Sequence, residues 1–329
     1  MTNVERFRAA LRGEPVDRLP RVEWAPWWQD TLDRWYTEGL PPGMDRNNVG
    51  AHLGLDLMRQ VRVGPLEATC PRPERHGGPI MHTADDYARL KQHLYPSVDA
   101  LAESLVPLVE AHDRGEVVLW LTVDGFFWFP RRLFGIQDHF YAFFDHPELM
   151  HRINQDLADH SIAVIEQLGQ MFAPEFVTFA EDMSYNHGPM LSEALFDEFL
   201  APYYEQVVPA IEGMGSVLIV DSDGDVTEMM PWLERVGARG VLPLERQAGV
   251  DAMEIRRRHP ESIMVGHYDK MVMTRGEAAM RAEFERLLPV MRSGRFIPSV
   301  DHQTPPGVSL EDYHVYLRLL DEYSVRGIP

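Results

Sequence analysis

The sequence predicts an α/β barrel in which parallel strands alternate with helices. Four short apolar segments, beginning at Phe176, Val217, Ile263 and Phe296, each end in acidic or imidazole side chains. Buried strands that end in such side chains are typical of a (β/α)8 barrel, whose active site lies at the carboxyl ends of its strands. Stretches with apolar residues at helical spacing separate these segments. We therefore predict that residues 1–329 form one (β/α)8 TIM-barrel domain.

Eight strands are expected, each rich in β-branched or large apolar residues. A short basic helix over residues 4–12 precedes them as an N-terminal helical extension. Long amphipathic helices are predicted at 147–171 and 192–212. The predicted strands cover residues 19–24, 55–63, 117–125, 176–180, 217–220, 241–244, 263–266 and 296–300.

Residues 64–95 are less regular than the rest of the chain. They contain prolines at positions 65, 71, 73 and 79 and adjacent glycines at 77 and 78. Prolines and glycines interrupt regular elements, so this segment is interpreted as an excursion between two barrel strands. A hairpin over the barrel mouth and a subunit contact are both compatible with this composition.

Composition and charge exclude several classes of protein. The net charge of −20 argues against nucleic-acid binding, which requires clustered Lys and Arg. No apolar run reaches the roughly 18–20 residues that span a bilayer, and the first residues lack a signal-peptide pattern. Cys70 is the only cysteine, so an internal disulfide and a thiolate zinc cluster are both excluded. We expect a cytoplasmic enzyme that does not bind membranes.

Common cofactor and nucleophile motifs are absent from the sequence. The Gly213-Met-Gly215 segment lacks the third glycine of a dinucleotide fingerprint. No phosphate-binding loop, His-Glu-x-x-His pair or Gly-x-Ser-x-Gly elbow occurs. The acidic loop that starts at Asp221 has Val226 and Trp232 where a calcium loop needs glycine and glutamate. Dehydrogenase, kinase, zincin and serine hydrolase activities are therefore not supported.

Several blocks of the chain resemble the uroporphyrinogen decarboxylase superfamily. The blocks are the opening Arg-Phe-Arg-Ala-Ala-Leu-Arg-Gly-Glu-Pro-Val-Asp-Arg-Leu-Pro at 6–20 and residues 125–131, 181–192, 221–225, 266–270 and 295–306. The resemblance covers essentially the whole chain and implies a (β/α)8 barrel. It also implies one of two activities, which are uroporphyrinogen decarboxylation and the transfer of methyl groups to or from corrinoids.

The resemblance favours the methyltransferase branch. True decarboxylases of the superfamily carry an arginine-rich signature after the first strand, whereas residues 23–30 contain three tryptophans and no arginine. A mouth with acidic groups would repel a substrate with eight carboxylates. Thiol-specific methyltransferases of the superfamily hold zinc through His-x-Cys and a later Cys; here Asp221-Ser-Asp223 and Asp301 stand at those places. The remaining role is O-demethylation of an aryl methyl ether, with transfer to a corrinoid.

The corrinoid, a cobalamin, is expected on a partner protein because the chain lacks the Asp-x-His-x-x-Gly segment that binds it. The other expected ligand is a small methylated aromatic. Carboxylates and imidazole can bind a hard metal, of which Zn²⁺ is one, and so stabilise a leaving phenolate. Expected catalytic residues are Asp221, His302, Asp301 and Glu181; expected substrate-binding residues are Trp24, Trp27, Phe126, Phe127, Trp128, Asp182, Tyr268 and Lys270; expected metal ligands are Asp221, Glu245 and His267.

Two alternative functions remain open from the sequence. One is a cofactor-free decarboxylase that acts on a tetrapyrrole or a smaller aromatic acid, with Lys270 or Arg131 binding the carboxylate. The other is a non-catalytic barrel that binds a corrinoid or a tetrapyrrole. The crowding of titratable groups at four strand ends argues against the second alternative, because buried charge is costly. The oligomeric state is also open, and a homodimer is one arrangement.

Overall fold

The protein is a TIM-barrel-like α/β fold built on a curled sheet of seven parallel strands. The computed structural model describes residues 1–25 and 27–329. The sheet has the order β1-β2-β3-β6-β7-β8-β9, and β4 and β5 form a separate two-stranded antiparallel hairpin. The strands are β1 (Met58–Val63), β2 (Val118–Asp124), β3 (Phe176–Ala180), β4 (Ser184–Tyr185), β5 (Gly188–Pro189), β6 (Leu218–Asp221), β7 (Gly240–Leu242), β8 (Ile263–Tyr268) and β9 (Phe296–Val300).

Helices connect the strands and surround the sheet. Short 3-10 turns occur at Lys91–His93, Thr227–Met229 and Lys270–Arg275. The α-helices are α1 (Asn3–Arg12), α2 (Gln29–Glu38), α3 (Arg46–His52), α4 (Ala84–Leu90), α5 (Asp99–Asp113), α6 (Trp128–Phe134), α7 (Ile136–Asp145), α8 (Pro147–Gly169), α9 (Glu193–Phe199), α10 (Ala201–Gly213), α11 (Met230–Arg235), α12 (Ala252–Arg258), α13 (Glu277–Arg292) and α14 (Leu310–Arg326).

The segment predicted as the first strand, residues 19–24, is not a regular strand, and this prediction is corrected. The segment nevertheless runs between β1 and β9. The Arg21 carbonyl accepts from the Asp56 amide at 2.8 Å, and the Trp24 indole donates to the Val300 carbonyl at 2.7 Å. The Arg21 amide donates to the Asp56 side chain instead of a neighbouring backbone, and Pro20 has no amide to donate. The barrel seam is therefore closed partly by side chains.

The N-terminal helix closes the bottom of the sheet. Thr2 and Glu5 form a capping box that fixes the start of α1. The Phe7 ring stacks on Phe176 with ring centres 5.9 Å apart, and Phe176 stacks on Trp120 at 5.4 Å. This aromatic column fills the amino-terminal end of the barrel, which leaves the carboxyl-terminal end for a site.

The predicted excursion is a structured loop whose two ends are held together. An isolated antiparallel bridge joins Leu66 to Leu94. The chain between these two residues contains α4 and the following 3-10 turn, so the segment is a loop with a short helix and not a hairpin. The Ile80 amide donates to the Leu133 carbonyl at 2.9 Å, which holds the excursion against α6. Because α6 follows directly after β2, the excursion lies beside the carboxyl ends of the strands.

The two long helices differ in outcome. The helix predicted at 147–171 is confirmed as α8, with Pro147 in its first turn. The helix predicted at 192–212 is divided at Leu200 into α9 and α10. Pro202 lies in the first turn of α10, where a proline is well tolerated, and it has no amide to continue the hydrogen bonding of α9; Pro209 is accommodated inside α10.

Candidate active site

A cavity of about 300 Å³ opens at the carboxyl ends of the strands. We call it the central cavity. Five of its lining residues are tryptophan or glutamine, and five others carry ionisable groups in addition to the arginine of β1. It is lined by Trp24, Ala25, Gln60, Arg62, Trp120, Trp128, Ala180, Glu181, Asp182, Asp221, Asp223, His302 and Gln303. The structure therefore brings together six of the residues predicted from sequence, which are Trp24, Trp128, Glu181, Asp182, Asp221 and His302.

Asp221 is the last residue of β6, and parallel pairing with β3 aligns it with Ala180. Its side chain accepts no hydrogen bond from the described residues, while its carbonyl accepts from the Glu181 amide at 2.9 Å. Burial, together with the nearby charge of Asp223 and against the opposing effect of Arg62, raises the pKa of the Asp221 carboxyl to about 7. The group can therefore hold or release a proton near neutral pH.

His302 follows β9 and lies beside a carboxylate. Its Nε2 atom is 3.6 Å from the Asp223 Oδ2 atom, and its ring meets the Trp24 ring edge-on at 6.2 Å. The interaction with Asp223 raises the pKa of His302 above its ordinary value, although burial opposes this. The protonated imidazolium is thus favoured, which gives the cavity a second proton donor.

Asp182 is held in an uncommon backbone conformation. Its φ angle of 46° lies in the left-handed region, which few residues other than glycine adopt. Arg131 Nη1 donates to the Asp182 carbonyl at 3.1 Å and to its Oδ2 atom at 3.2 Å. Burial and the charge of Asp223 raise the pKa of Asp182, against the effect of Arg131. Backbone strain held by a specific partner is common at functional sites.

Glu181 fixes the backbone that leads into α6. Its carboxyl accepts from the amides of Phe126 at 3.0 Å and Phe127 at 2.7 Å, and from the Tyr204 hydroxyl at 2.7 Å. Burial raises its pKa to about 7 despite these donors. Most of the acceptor capacity of this carboxyl is used within the protein, so its contacts favour a positioning role over the predicted catalytic one.

Asp301 and Lys270 form a buried ion pair outside the central cavity. The Lys270 Nζ atom lies 3.0 Å from Asp301 Oδ1, and the Arg246 amide donates to Asp301 Oδ2 at 3.1 Å. Burial raises the pKa of Asp301, while Lys270 lowers it. The pair joins the loops after β7, β8 and β9. Neither residue lines the central cavity, and the catalytic role of Asp301 and the substrate-binding role of Lys270 stay predictions.

The predicted metal ligands do not form a set. His267 Nδ1 faces the Leu244 carbonyl at 2.8 Å, and its Nε2 atom lies 3.0 Å from Arg286 Nη1. Burial and Arg286 lower the pKa of His267 to about 3. Glu245 accepts from the Gly224 amide at 3.0 Å and does not line the central cavity with Asp221. Within residues 1–25 and 27–329, no three or more His, Cys, Asp and Glu side chains are grouped to hold a metal. The predicted zinc site therefore does not fit this arrangement.

Only two of the predicted aromatic walls, Trp24 and Trp128, face the central cavity; the others are packed in the core, and their predicted role is corrected. Because the Glu181 carboxyl accepts from the backbone amides of residues 126–128, the side chains of Phe126 and Phe127 point away from the cavity and pack against the surrounding helices. The packed residues are Phe126 against Phe179 and Tyr204, Phe127 against His139 and Phe143, Trp27 against Trp35 and Tyr313, and Tyr268 against Phe284 and Tyr316.

Seven of the residues that line the central cavity were not among the predicted site residues, and they are Ala25, Gln60, Arg62, Trp120, Ala180, Asp223 and Gln303. Gln60 and Arg62 alternate along β1, and Gln60 is in register with Trp120 of β2. Arg62 donates to the buried Asp124 at 3.2 Å, and Gln60 donates to Thr122 at 2.9 Å. The spacing of two between Gln60 and Arg62 is the signal that could have identified this pair, because alternate residues of a strand face the same side.

A second, larger cavity of about 790 Å³ lies between the excursion and α6. We call it the excursion cavity. It shares Trp128 and Asp182 with the central cavity, so the two are neighbours. Its remaining walls are Leu66, Glu67, Ala68, Cys70, Pro71, Arg72, Pro73, His76, Gly77, Gly78, Ile80, Arg131, Arg132 and Ile136.

The barrel and its mouth define an α/β-barrel enzyme with a small acidic and aromatic site. The family model named uroporphyrinogen decarboxylase (URO-D) matches residues 73–323, and the chain therefore belongs to the URO-D family. No curated protein sequence matches the chain. None of the helices among the described residues is long and apolar enough to cross a membrane.

Solved structures of other proteins are similar to this chain. The chain is similar to a methyltransferase from Methanosarcina mazei, with a TM-score of 0.67 and 16% identity over 98% of this chain and 99% of the other. It also aligns with the candidate vitamin-B12 independent methionine synthase from Listeria monocytogenes, with a TM-score of 0.48 and 13% identity over 95% and 96% of the two chains. The first similarity establishes the shared fold.

Proposed function

We propose that the protein is a methyltransferase that moves a methyl group from a small methylated aromatic, such as an aryl methyl ether, to a corrinoid carried by a partner protein. The observation that carries this proposal is the Asp221 carboxyl, which faces a cavity walled by three tryptophans and accepts no hydrogen bond from the described residues. Membership of the URO-D family and the fold shared with the Methanosarcina mazei methyltransferase support this choice.

The size and charge of the central cavity favour a small, weakly charged reacting group. A volume of about 300 Å³ is at the lower end of ordinary ligand pockets. Trp24, Trp120 and Trp128 offer aromatic faces for stacking on a ring. The lining contains one arginine, Arg62, against the three aspartates 182, 221 and 223. This excess of acidic groups would repel a polyanionic tetrapyrrole.

The proposed chemistry needs an acid at the ether oxygen. When the methyl carbon is transferred, the bond between it and the oxygen breaks, and its electron pair stays on the oxygen. Asp221 or the His302 imidazolium would donate a proton to that oxygen and release a neutral phenol. The corrinoid supplies Co(I) as the methyl acceptor when its protein is bound. No step uses a metal ion held by this chain, because the predicted ligands are not grouped.

A test uses the purified protein under anaerobic conditions with reduced Co(I) cobalamin, or a corrinoid protein, and a panel of methoxylated aromatics. We expect loss of the Co(I) absorbance with at least one donor, together with release of the matching phenol. Asp221→Asn should lower the rate by about 10²–10⁴-fold, the usual contribution of a general acid. Asp225→Asn, in the same loop but outside the cavity, is the matched control and should retain the wild-type rate.

Absence of cobalt alkylation with every donor and both acceptors would contradict the proposal. One observation favours a second candidate, a cofactor-free decarboxylase of a small aromatic acid: the neighbouring excursion cavity contains Arg72 and Arg131. In that case an aromatic acid would release CO₂ without any corrinoid. Measuring CO₂ and phenol in the same reactions separates the two activities.

A further inference from the structure

We infer that the substrate carries a carboxylate on its aromatic ring, and that Arg72 and Arg131 bind this carboxylate in the excursion cavity while the ring lies against Trp128. This inference rests on the proposed function, since it names the substrate class of the same site. The reacting end of the molecule would then lie in the central cavity beside Asp221.

The position of Trp128 connects the two cavities. The Trp128 side chain lines both of them, as does Asp182. A ring stacked on Trp128 can therefore present one substituent to Asp221 and another to the arginines of the excursion. The volume of about 790 Å³ lies within the range of ligand pockets and exceeds what a few ordered waters require.

The charges of the excursion cavity differ from those of the chain as a whole. Three arginines and two carboxylates line it, although the chain has a net charge of −20. Asp124 pairs with both Arg62 and Arg132, so one buried carboxylate serves two guanidinium groups. Arg72 forms no ion pair or side-chain hydrogen bond within the part of the chain that the structure describes. The cavity therefore keeps a positive charge without a partner of its own.

Two buried donors that belong to lining residues of the same cavity have no partner among the described residues. They are the Arg131 Nε atom and the Trp128 Nε1 atom. The Arg131 guanidinium lies over the Trp128 ring, with its Cζ atom 5.2 Å from the ring centre. Arg131 donates from Nη1 to Asp182, and its Nε atom keeps no partner. Buried donors are normally satisfied, so these two atoms indicate that something binds here.

The occupant is expected to be a monoanion. Glu67 and Asp182 also line the cavity, and a phosphate dianion would be repelled by both. A planar carboxylate matches the fork geometry of a guanidinium. The apolar walls formed by Leu66, Ile80 and Ile136 suit a ring better than a sugar or a polyol.

The test is a binding measurement that needs no corrinoid. We would titrate the full chain by calorimetry with para-methoxybenzoate, with its neutral analogue para-methoxybenzamide and with phenyl phosphate. The carboxylate should bind about tenfold or more tightly than the amide, as expected for a charge-assisted contact. Arg72→Ala should remove most of that preference for the carboxylate without weakening the binding of para-methoxybenzamide. Arg75→Ala, an arginine of the same excursion that does not line the cavity, is the matched control.

Equal binding of acid and amide by the wild-type chain would overturn the inference, as would a preference for phenyl phosphate. The same conclusion would follow if Arg72→Ala and Arg75→Ala had identical effects. Arg72 is exposed, so its replacement should leave the fold intact, and circular dichroism checks this. Charge-dependent binding without methyl transfer would retain this inference and reject the proposed function, so the two failures can be distinguished.

Discussion

The Nε2 atom of His302 lies 3.6 Å from the Oδ2 atom of Asp223, and both residues share a cavity with Asp221. The Asp223 charge raises the pKa of His302 and, after burial, is the main cause that raises the pKa of Asp221 to about 7. One carboxylate therefore favours the protonated state of two neighbouring groups. This arrangement suits a reaction that delivers a proton to a leaving oxygen.

Replacing Asp223 should shift the pH profile of the reaction. If the protonated acid is the active form, the rate falls as pH rises through the pKa of Asp221. Asp223→Asn removes a charge that raises the pKa of both Asp221 and His302, so the alkaline limb should move to lower pH. Initial rates from pH 5 to 9 measure this, with Asp225→Asn as the control. An unchanged alkaline limb would show that Asp223 does not govern the proton donor.

The contact between Gly125 and Glu181 should make that glycine intolerant of any side chain. A Cβ atom at Gly125 would lie 2.1 Å from the Glu181 Cδ atom, which is held by amides and the Tyr204 hydroxyl. We expect Gly125→Ala to lower the free energy of unfolding by about 1–3 kcal/mol, as for overpacked cores. Urea denaturation measures it. Gly213→Ala, which has open space, is the control; equal stability of the two variants would contradict the prediction.

The ion pair between Asp301 and Lys270 should be structural. Lys270→Met leaves the Asp301 carboxylate buried without its cation, which should cost about 3–5 kcal/mol of unfolding free energy. The double variant Lys270→Met with Asp301→Asn should recover part of that loss, because it removes the uncompensated charge. Urea denaturation of both variants measures this coupling. A stable Lys270→Met protein that lacks activity would instead support the catalytic role expected for Asp301 from sequence.

Most of the fold could be predicted because buried parallel strands are continuous apolar runs with clear ends. Residues 176–180 and 296–300 were predicted with the bounds that the structure has. The prediction of a first strand was wrong because backbone amides of residues 19–24 donate to the side chains of Asp56 and Ser299. They do not form the regular backbone hydrogen bonds of a sheet. The prediction of one helix over 192–212 was wrong because the chain divides at Leu200, and Pro202, which has no amide to donate to α9, lies in the first turn of the second helix.

The site was predicted less completely than the fold. Asp221 and His302 were predicted because they lie at or just after a strand end, and the carboxyl ends of parallel barrel strands meet on one face. His267 also lies on a strand, but its ring turns to Leu244 and Arg286. Gln60, Arg62, Trp120, Asp223 and Gln303 were not predicted, because a strand's apolar pattern marks its ends but not which of its side chains and which loop residues face the cavity.

The sequence by itself determined the barrel class, the order of its strands and the acidic character of its mouth, because these depend on local hydrophobic pattern and chain order. Tertiary structure decided which side chains share the cavity. Phe126 faces the helices because Glu181, 55 residues later, binds its amide, and Asp301 is withdrawn from the cavity by Lys270. Side-chain direction at a strand end depends on such contacts between distant residues, and no local pattern records them.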